Sequence, residues 1–358
     1  LKDKKMALLF MDGFEGYGIA DISKFWGYAY YASAGGVTID ATGGRNGNGI
    51  RGFSRNSLAD YRFRWDNQFQ FDSQILIVGF AFKFDYVGND ILLMQLNDPS
   101  GYQYSGLLTL TENLNLVLYR HPTTQPALEY ISDFTLTPNT WYYAEVKWKC
   151  HSTEGLGELR LNEQSLHSFS NSDTRPSLGI ADRISNILFQ GESFVDVNYD
   201  DIYILDTTGS NNNDFLGDVR IDMVNPNGAG NYSQMTPSAG SNYQCVDEAA
   251  FDDSDYVQDA ADGNKDSYTY ANVPTELDDL AIFGVQLNNI SKRSAAMDNR
   301  KLKGFLRTGG ADYEETTAQS LSDSYFRNQT IWELDPSDSN PWTQAKINAC
   351  EFGVEVNT

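Results

Sequence analysis

WYYAEVKWKC (141–150), GELRLN (157–162), RISNILFQ (183–190) and FVDVNYDDIYILD (194–206) decide the fold. In the first, Tyr142, Ala144, Val146, Trp148 and Cys150 fall on one face and Glu145, Lys147 and Lys149 on the other. That period of two is the mark of a strand with one face in the core and one in water. GELRLN repeats it, with Leu159 and Leu161 inward and Glu158, Arg160 and Asn162 outward. Gly155 and Gly157 precede it as a turn where glycine relieves φ, so the two segments read as a hairpin. In the last segment Asp200 and Asp201 come just before Ile202, Ile204 and Leu205, which predicts a strand that closes the sheet with its acids at a polar rim.

The same beat extends outward. QILIVGFAFKFDYVG (74–88) is apolar on both faces and then alternates Phe80, Phe82 and Phe84 against Ala81, Lys83 and Asp85, as a central strand emerging toward an edge would. ILLMQLN (91–97), GLLTLT (106–111), LNLVLYR (114–120) and EYISDFTLT (129–137) follow at short spacing, the pattern of an antiparallel sandwich. GGRNGNG (43–49) lacks the GK[ST] ending of a phosphate loop, and no helical pattern follows it, so it reads as a glycine-rich hairpin. TTGSNNND (207–214) is a polar connector without apolar periodicity. It sets the expected domains at 1–207 and 208–358. Strands are expected in the second at GDVRIDMV (217–224), DSYTYANV (266–273), LAIFGVQLNNIS (280–291), KLKGFLRTG (301–309), YEETTA (313–318), YFRNQTIWEL (325–334) and FGVEV (352–356). One short helix is expected near the C-terminus, with Asn340 as cap and Pro341 in its first turn. The predicted class is all-β: two antiparallel β-sandwich domains and one short helix.

An aromatic-rich strand, a tight hairpin ending in Asn162, an apolar strand and a closing DDIYILD resemble, in that order, the concanavalin A-like lectin/glucanase sandwiches, in particular their LamG-like branch. MALLFMDGFEGYGIAD (6–21), WYYAEVKWK, DTRPS (173–177), NDFLGDVRIDMVNPNGAGNYSQMTP (213–237) and PWTQAKINACEFGVEV (341–356) resemble a family of virion structural proteins of tailed bacteriophages, and these blocks span nearly the whole chain. The resemblance implies jelly-roll domains with the first strand beside the last, a place in the virion, and partners among other virion proteins or further copies of the chain. Residues 1–5 precede the family-like start at Met6.

Composition narrows the partners. The 358 residues hold 26 Lys plus Arg against 49 Asp plus Glu, a net charge of -23, which repels a phosphate backbone and argues against nucleic-acid binding. Cys150, Cys245 and Cys350 are too widely spaced for a zinc motif or a disulfide framework and read as small buried hydrophobes. No apolar run reaches the roughly 18 residues of a membrane span. ALLFM, after Lys4 and Lys5, is followed by Asp12 without a cleavage motif, so neither secretion nor membrane insertion is expected.

Four constellations could carry chemistry. The acids nearest to a glycosidase pair are Asp196, Asp200 and Asp201, and Glu314 and Glu315, and neither set supplies the ExDxE-like run of the related glucanases. His121, His151 and His167 lack a GxSxG partner motif, so no catalytic residue is expected. The run from Asp247 to Asp266 holds eight acids. A solvated loop is its first reading, and calcium bound by Asp252, Asp253 and Asp255 is the second. In NDPSGYQYS (97–105), Asn97 and Asp98 offer hydrogen-bond partners, and Tyr102 and Tyr104 offer flat surfaces for a sugar ring. The expected function is a non-enzymatic structural component exposed on a tailed-phage virion, at the tail tip, a fibre or the capsid surface. A carbohydrate-binding adhesin for host-surface glycan is the alternative, and a glycan depolymerase comes third.

Overall fold

The computed structural model of the chain describes residues 6–31, 37–45, 47–52, 61–65, 73–85, 88–98, 104–120, 127–176, 182–191, 196–278, 280–294 and 299–358. Strands take up 48% and helices 7%, which makes the fold all-β. The chain divides into two compact units, Leu1–Asp222 and Met223–Thr358.

The first unit contains β1 (Leu8–Asp12), α1 (Ile22–Trp26), β2 (Gly27–Tyr31), β3 (Val37–Asp40), β4 (Gly49–Gly52), β5 (Tyr61–Trp65), β6 (Ile75–Phe84), β7 (Ile91–Asn97), β8 (Tyr104–Leu110), β9 (Leu116–Arg120), β10 (Ala127–Ile131), β11 (Tyr142–Lys149), β12 (Gly155–Leu161), β13 (Gln164–Ser172), β14 (Asn186–Gly191) and β15 (Val197–Leu205). Two antiparallel sheets face each other. Among the described residues one runs β13-β12-β11-β6-β15-β4-β3, with β1 also on β15, and the other β10-β9-β8-β7-β14-β5-β2. The β11–β12 and β3–β4 hairpins form as the sequence predicts, and β6 is central between β11 and β15. The first strand does pair with the last, Leu8 opposite Leu205 and Asp12 opposite Ile202.

Aromatic side chains fill the space between the sheets. Phe80 lies edge-on to Phe189 at 5.2 Å, Phe189 to Tyr199 at 5.6 Å, and Trp26 of α1 stacks on Phe14 at 5.8 Å. Val146 and Trp148 are buried while Lys147 and Lys149 are half-exposed, so the register of β11 is the one its alternation dictates.

Several expectations are corrected. β15 does not close its sheet: it has β6 on one side and β4 and β1 on the other. Its acids are therefore interior, with Asp200 3% and Asp201 2% exposed. Gly155 and Gly157 are absent from the positive-φ positions. Gly157 serves close packing, because a Cβ there would lie 2.5 Å from the Phe169 ring and 2.8 Å from Trp148. Glu145, on the face expected to meet water, is 1% exposed. The chain from Thr207 to Asp222 belongs to the first unit and covers it through Leu216 and Gly217, and GDVRIDMV forms no strand. The helix α1 had no counterpart in the sequence reading.

The second unit contains β16 (Pro226–Ser233), β17 (Thr236–Pro237), β18 (Val257–Gln258), β19 (Lys265–Tyr270), β20 (Val285–Ser291), β21 (Lys301–Thr308), β22 (Ala311–Glu314), β23 (Gln319–Ser320), β24 (Phe326–Trp332), α2 (Gln344–Asn348) and β25 (Glu351–Asn357). One sheet runs β16-β19-β25-β21-β22, with β23 also on β21, and β20 pairs with β24. Leu287, Leu306, Trp332, Trp342, Cys350 and Phe352 make its core. Thr343, not Asn340, caps α2, its side chain accepting the Lys346 amide. Asn340 instead donates its amide to Asp338 Oδ1 at 3.0 Å in the preceding turn, and Pro341 lies before the helix, which starts at Gln344.

Candidate functional site

The densest group of titratable side chains lies where the turn after β1, the tip of the β3–β4 hairpin and the middle of β15 meet. Pairing of β15 with β6 is irregular between Asp200 and Tyr203, and Asp201 has φ +50°. A bulge of this kind breaks the alternation that would send two consecutive acids to opposite faces. Both acids consequently meet Arg45. The Arg45 amide donates to Asp200 Oδ2 at 2.7 Å, and its Nε to Asp201 Oδ2 at 2.8 Å. The guanidinium also reaches Asp218 Oδ1 at 2.5 Å and the Val219 carbonyl at 2.6 Å. Asp201 Oδ1 accepts the Ile221 amide at 2.8 Å.

Glu15 approaches from the turn after β1. Gly47 leaves it room, since a Cβ there would come within 2.7 Å of Glu15 Oε1. Asp12 is bonded on its own account, Oδ1 accepting the Phe14 amide at 2.8 Å and Oδ2 the Tyr17 hydroxyl at 2.9 Å. Burial, with Asp200 as the next cause, pushes the Glu15 carboxyl up to about 9. Burial and the neighbouring Asp201 raise Asp200 as well. Carboxyls crowded in a buried site favour the protonated form, and burial with mutual repulsion moves both Glu15 and Asp200 in that direction.

This centre can hold protons and fix three chain segments together. A retaining glycosidase needs an acid and a nucleophile ~5 Å apart in an open cleft, whereas Asp196, Asp200 and Asp201 are each 3% exposed or less. Glu314 is ion-paired with Lys265 at 2.6 Å, and Glu315 accepts the Gln319 side chain. Both carboxylates serve the second unit's own packing. Among the described residues no group of three or more His, Cys, Asp or Glu is arranged to hold a metal ion.

The predicted site residues separate. Asn97 and Tyr104 are brought together as register partners at the ends of β7 and β8. Asn97 is 1% exposed, and its amide donates to Asn186 Oδ1 at 2.6 Å while its oxygen accepts from Gln95. Asp98 is buried, its carbonyl 3.4 Å from Asn186 Nδ2. Tyr102 and His121 lie outside the described residues. Asp252 Oδ1 accepts the Ser254 amide at 2.7 Å in a solvent-exposed turn, and Asp255 hydrogen-bonds Glu248, whose carboxyl burial and that bond push up to about 7. His151 Nδ1 accepts the Thr153 and Glu154 amides, and His167 stacks on Tyr130 at 5.2 Å. Both have structural work. Sequence reasoning missed Glu15, Arg45 and Glu145. A lone arginine inside a run of glycines was the available signal for Arg45.

No family model matches the chain, and no curated protein matches it. Among solved structures it is similar to the binding domain of Paraclostridial Mosquitocidal Protein 1, at 16% identity and a TM-score of 0.38 over 57% of this chain and 50% of that one. The chain thus spans half the length of that toxin domain. A carbohydrate-binding module of Bacillus subtilis matches at 8% identity and TM-score 0.33, over 56% of this chain and 97% of the module. A carbohydrate esterase of the Shiga toxin-encoding bacteriophage phi24B matches at 13% and 0.34, over 56% of this chain and 100% of the esterase. Their TM-scores are below the level at which likeness supports a functional comparison.

Proposed function

We propose that the chain is a non-catalytic structural component of a tailed-phage particle, exposed at the tail tip, on a fibre or on the capsid surface. The observation that carries this reading is the condition of its carboxylates. The acids a glycan hydrolase would need are interior, paired with Arg45 or backbone amides, and act as fasteners between chain segments. The sequence blocks that resemble virion proteins supply the location. Strands β10 and β13 each have one strand partner among the described residues, and such edges are templates for pairing with neighbouring subunits. The protein accordingly self-associates or joins other virion proteins, with the second unit anchoring and the first displayed. Antibody labelling of purified particles tests this: decoration of an external feature is expected, and a monomer that never co-purifies with particles overturns it.

A glycan-binding adhesin is the second reading, favoured by one observation. Gln95 and Tyr104, both half-exposed, flank the buried Asn97–Asn186 pair on the seven-stranded sheet, a polar and an aromatic side chain of the kind that orients small ligands. Retention on host polysaccharide without cleavage, lost in Tyr104→Ala, would establish it. Release of reducing ends would instead identify a depolymerase.

A further inference from the structure

We propose that the segment Asp214–Asp222 is a releasable latch on the outer face of the eight-stranded sheet, seated over the buried Glu145 carboxyl and loosened when that carboxyl ionises, because the cost of burying its charge outweighs the stronger hydrogen bonds the charge accepts. The grip consists of side chains on the sheet holding backbone groups of the segment. Glu145 Oε1 accepts the Gly217 amide at 2.9 Å, and the Tyr203 hydroxyl, which donates to the same oxygen, accepts the Leu216 amide at 3.2 Å. Phe215 lies under the Arg160 guanidinium at 3.9 Å, and Lys147 reaches Asp214 at 3.1 Å. At the far end Asp201 holds the Ile221 amide and Arg45 holds Asp218 and the Val219 carbonyl. Gly217 makes the bend with φ +84°.

The weak point is Glu145 itself. It is 1% exposed, and its second oxygen, Oε2, has no hydrogen-bond partner among the described residues. A buried carboxylate oxygen without a donor is costly when charged and much less so when protonated. The titratable groups that interact with it are Tyr203 from β15, Tyr143 from β11, Arg160 from β12 and Glu163 from the following turn, while Lys147, two residues along the same face of β11, is paired with Asp214 of the latch. Burial raises the Glu145 carboxyl above its ordinary range, against lowering by Tyr203, the Gly217 amide and Arg160. Lifting the latch would return Glu145 to water. The docked state therefore binds the proton more tightly, and docking weakens as pH rises from the ordinary glutamate range through the raised one. Asp214, which Lys147 and the Phe215 amide hold below its usual range against burial, acts oppositely and only in acid. Asp201, raised by burial, acts in the same direction as Glu145. Once released, the chain from Thr207 to Asp222 becomes a free tether to Met223.

Hydrogen exchange of the Leu216 and Gly217 amides in the full chain, corrected for intrinsic rates, reads the latch directly. In the native protein their protection should fall with rising pH, by up to about tenfold per unit. Glu145→Gln keeps the accepting oxygen and cannot ionise, so its slope should be clearly shallower, with Ala144 and Val146 protection confirming an intact β11. A flat native profile, or an unchanged slope in Glu145→Gln, overturns the proposal. Should that variant not fold, Phe215→Ala decides: it should lower latch protection at every pH and keep the native slope, and loss of the slope overturns the proposal.

Discussion

Trp148 joins the two sheets of the first unit. Its indole donates to Ser105 Oγ at 2.7 Å, its ring meets Phe169 edge-on at 5.4 Å, and glycines at 106 and 157 leave it space. Trp148→Ala should lower unfolding stability by about 3–5 kcal/mol, measured by denaturant titration; a loss near zero would mean the residue is not the inter-sheet contact described. Glu15 makes a different prediction. Burial, then Asp200, pushes its carboxyl from an ordinary 4.5 up to about 9 in the fold, so the folded state should gain a proton relative to the unfolded one between those values. That stabilisation is whole below about pH 4.5, declines above it by up to about 1.4 kcal/mol per unit, and is gone beyond about 9. Unfolding midpoints at pH 6, 7.5 and 9 should fall steeply in the native protein and less steeply in Glu15→Gln. Parallel slopes would show that Glu15 is not the titrating group.

At the scale of elements, what was legible depended on how local the cause was. β6, β11 and β12 were readable because alternation of apolar side chains and burial of one face are the same fact. The covering segment 214–222 was not, because its own alternation mimics a strand while its position is set by Glu145, Tyr203, Asp201 and Arg45, all remote in sequence. The acidic centre escaped for a related reason: only the bulge after Asp200 brings consecutive acids to one arginine. Gly79 exposes this dependence on distant partners. It sits between Glu145 and Tyr203 in the register, and a Cβ there would lie 2.1 Å from the Tyr203 ring. Gly79→Ala should therefore displace Tyr203, cost about 1–3 kcal/mol, and speed exchange of the Leu216 amide. Native exchange at Leu216 in that variant would show that Tyr203 does not hold the segment.

For the whole molecule, the described acids have partners that do not require a bound cation at several of the buried positions. Arg45 pairs with Asp201 and Asp218 and Lys265 with Asp312, and in the 247–266 run Asp252, Asp259 and Asp266 accept nearby amides. Chelation with EDTA should leave the melting temperature unchanged, and a large drop would reveal a structural calcium site. The division of the chain after Asp222 rather than at the polar connector carries the last prediction. A fragment beginning at Met223 keeps the second unit's core of Leu287, Leu306, Trp332, Trp342, Cys350 and Phe352 complete, whereas one beginning at Thr207 also carries Phe215 and Leu216 stripped of the sheet that covers them. The shorter fragment should unfold cooperatively and stay soluble, and the longer one should aggregate more readily. If the second unit is the anchor, the fragment from Met223 should also enter phage particles. A folded fragment that stays out of particles would assign anchoring to the first unit instead.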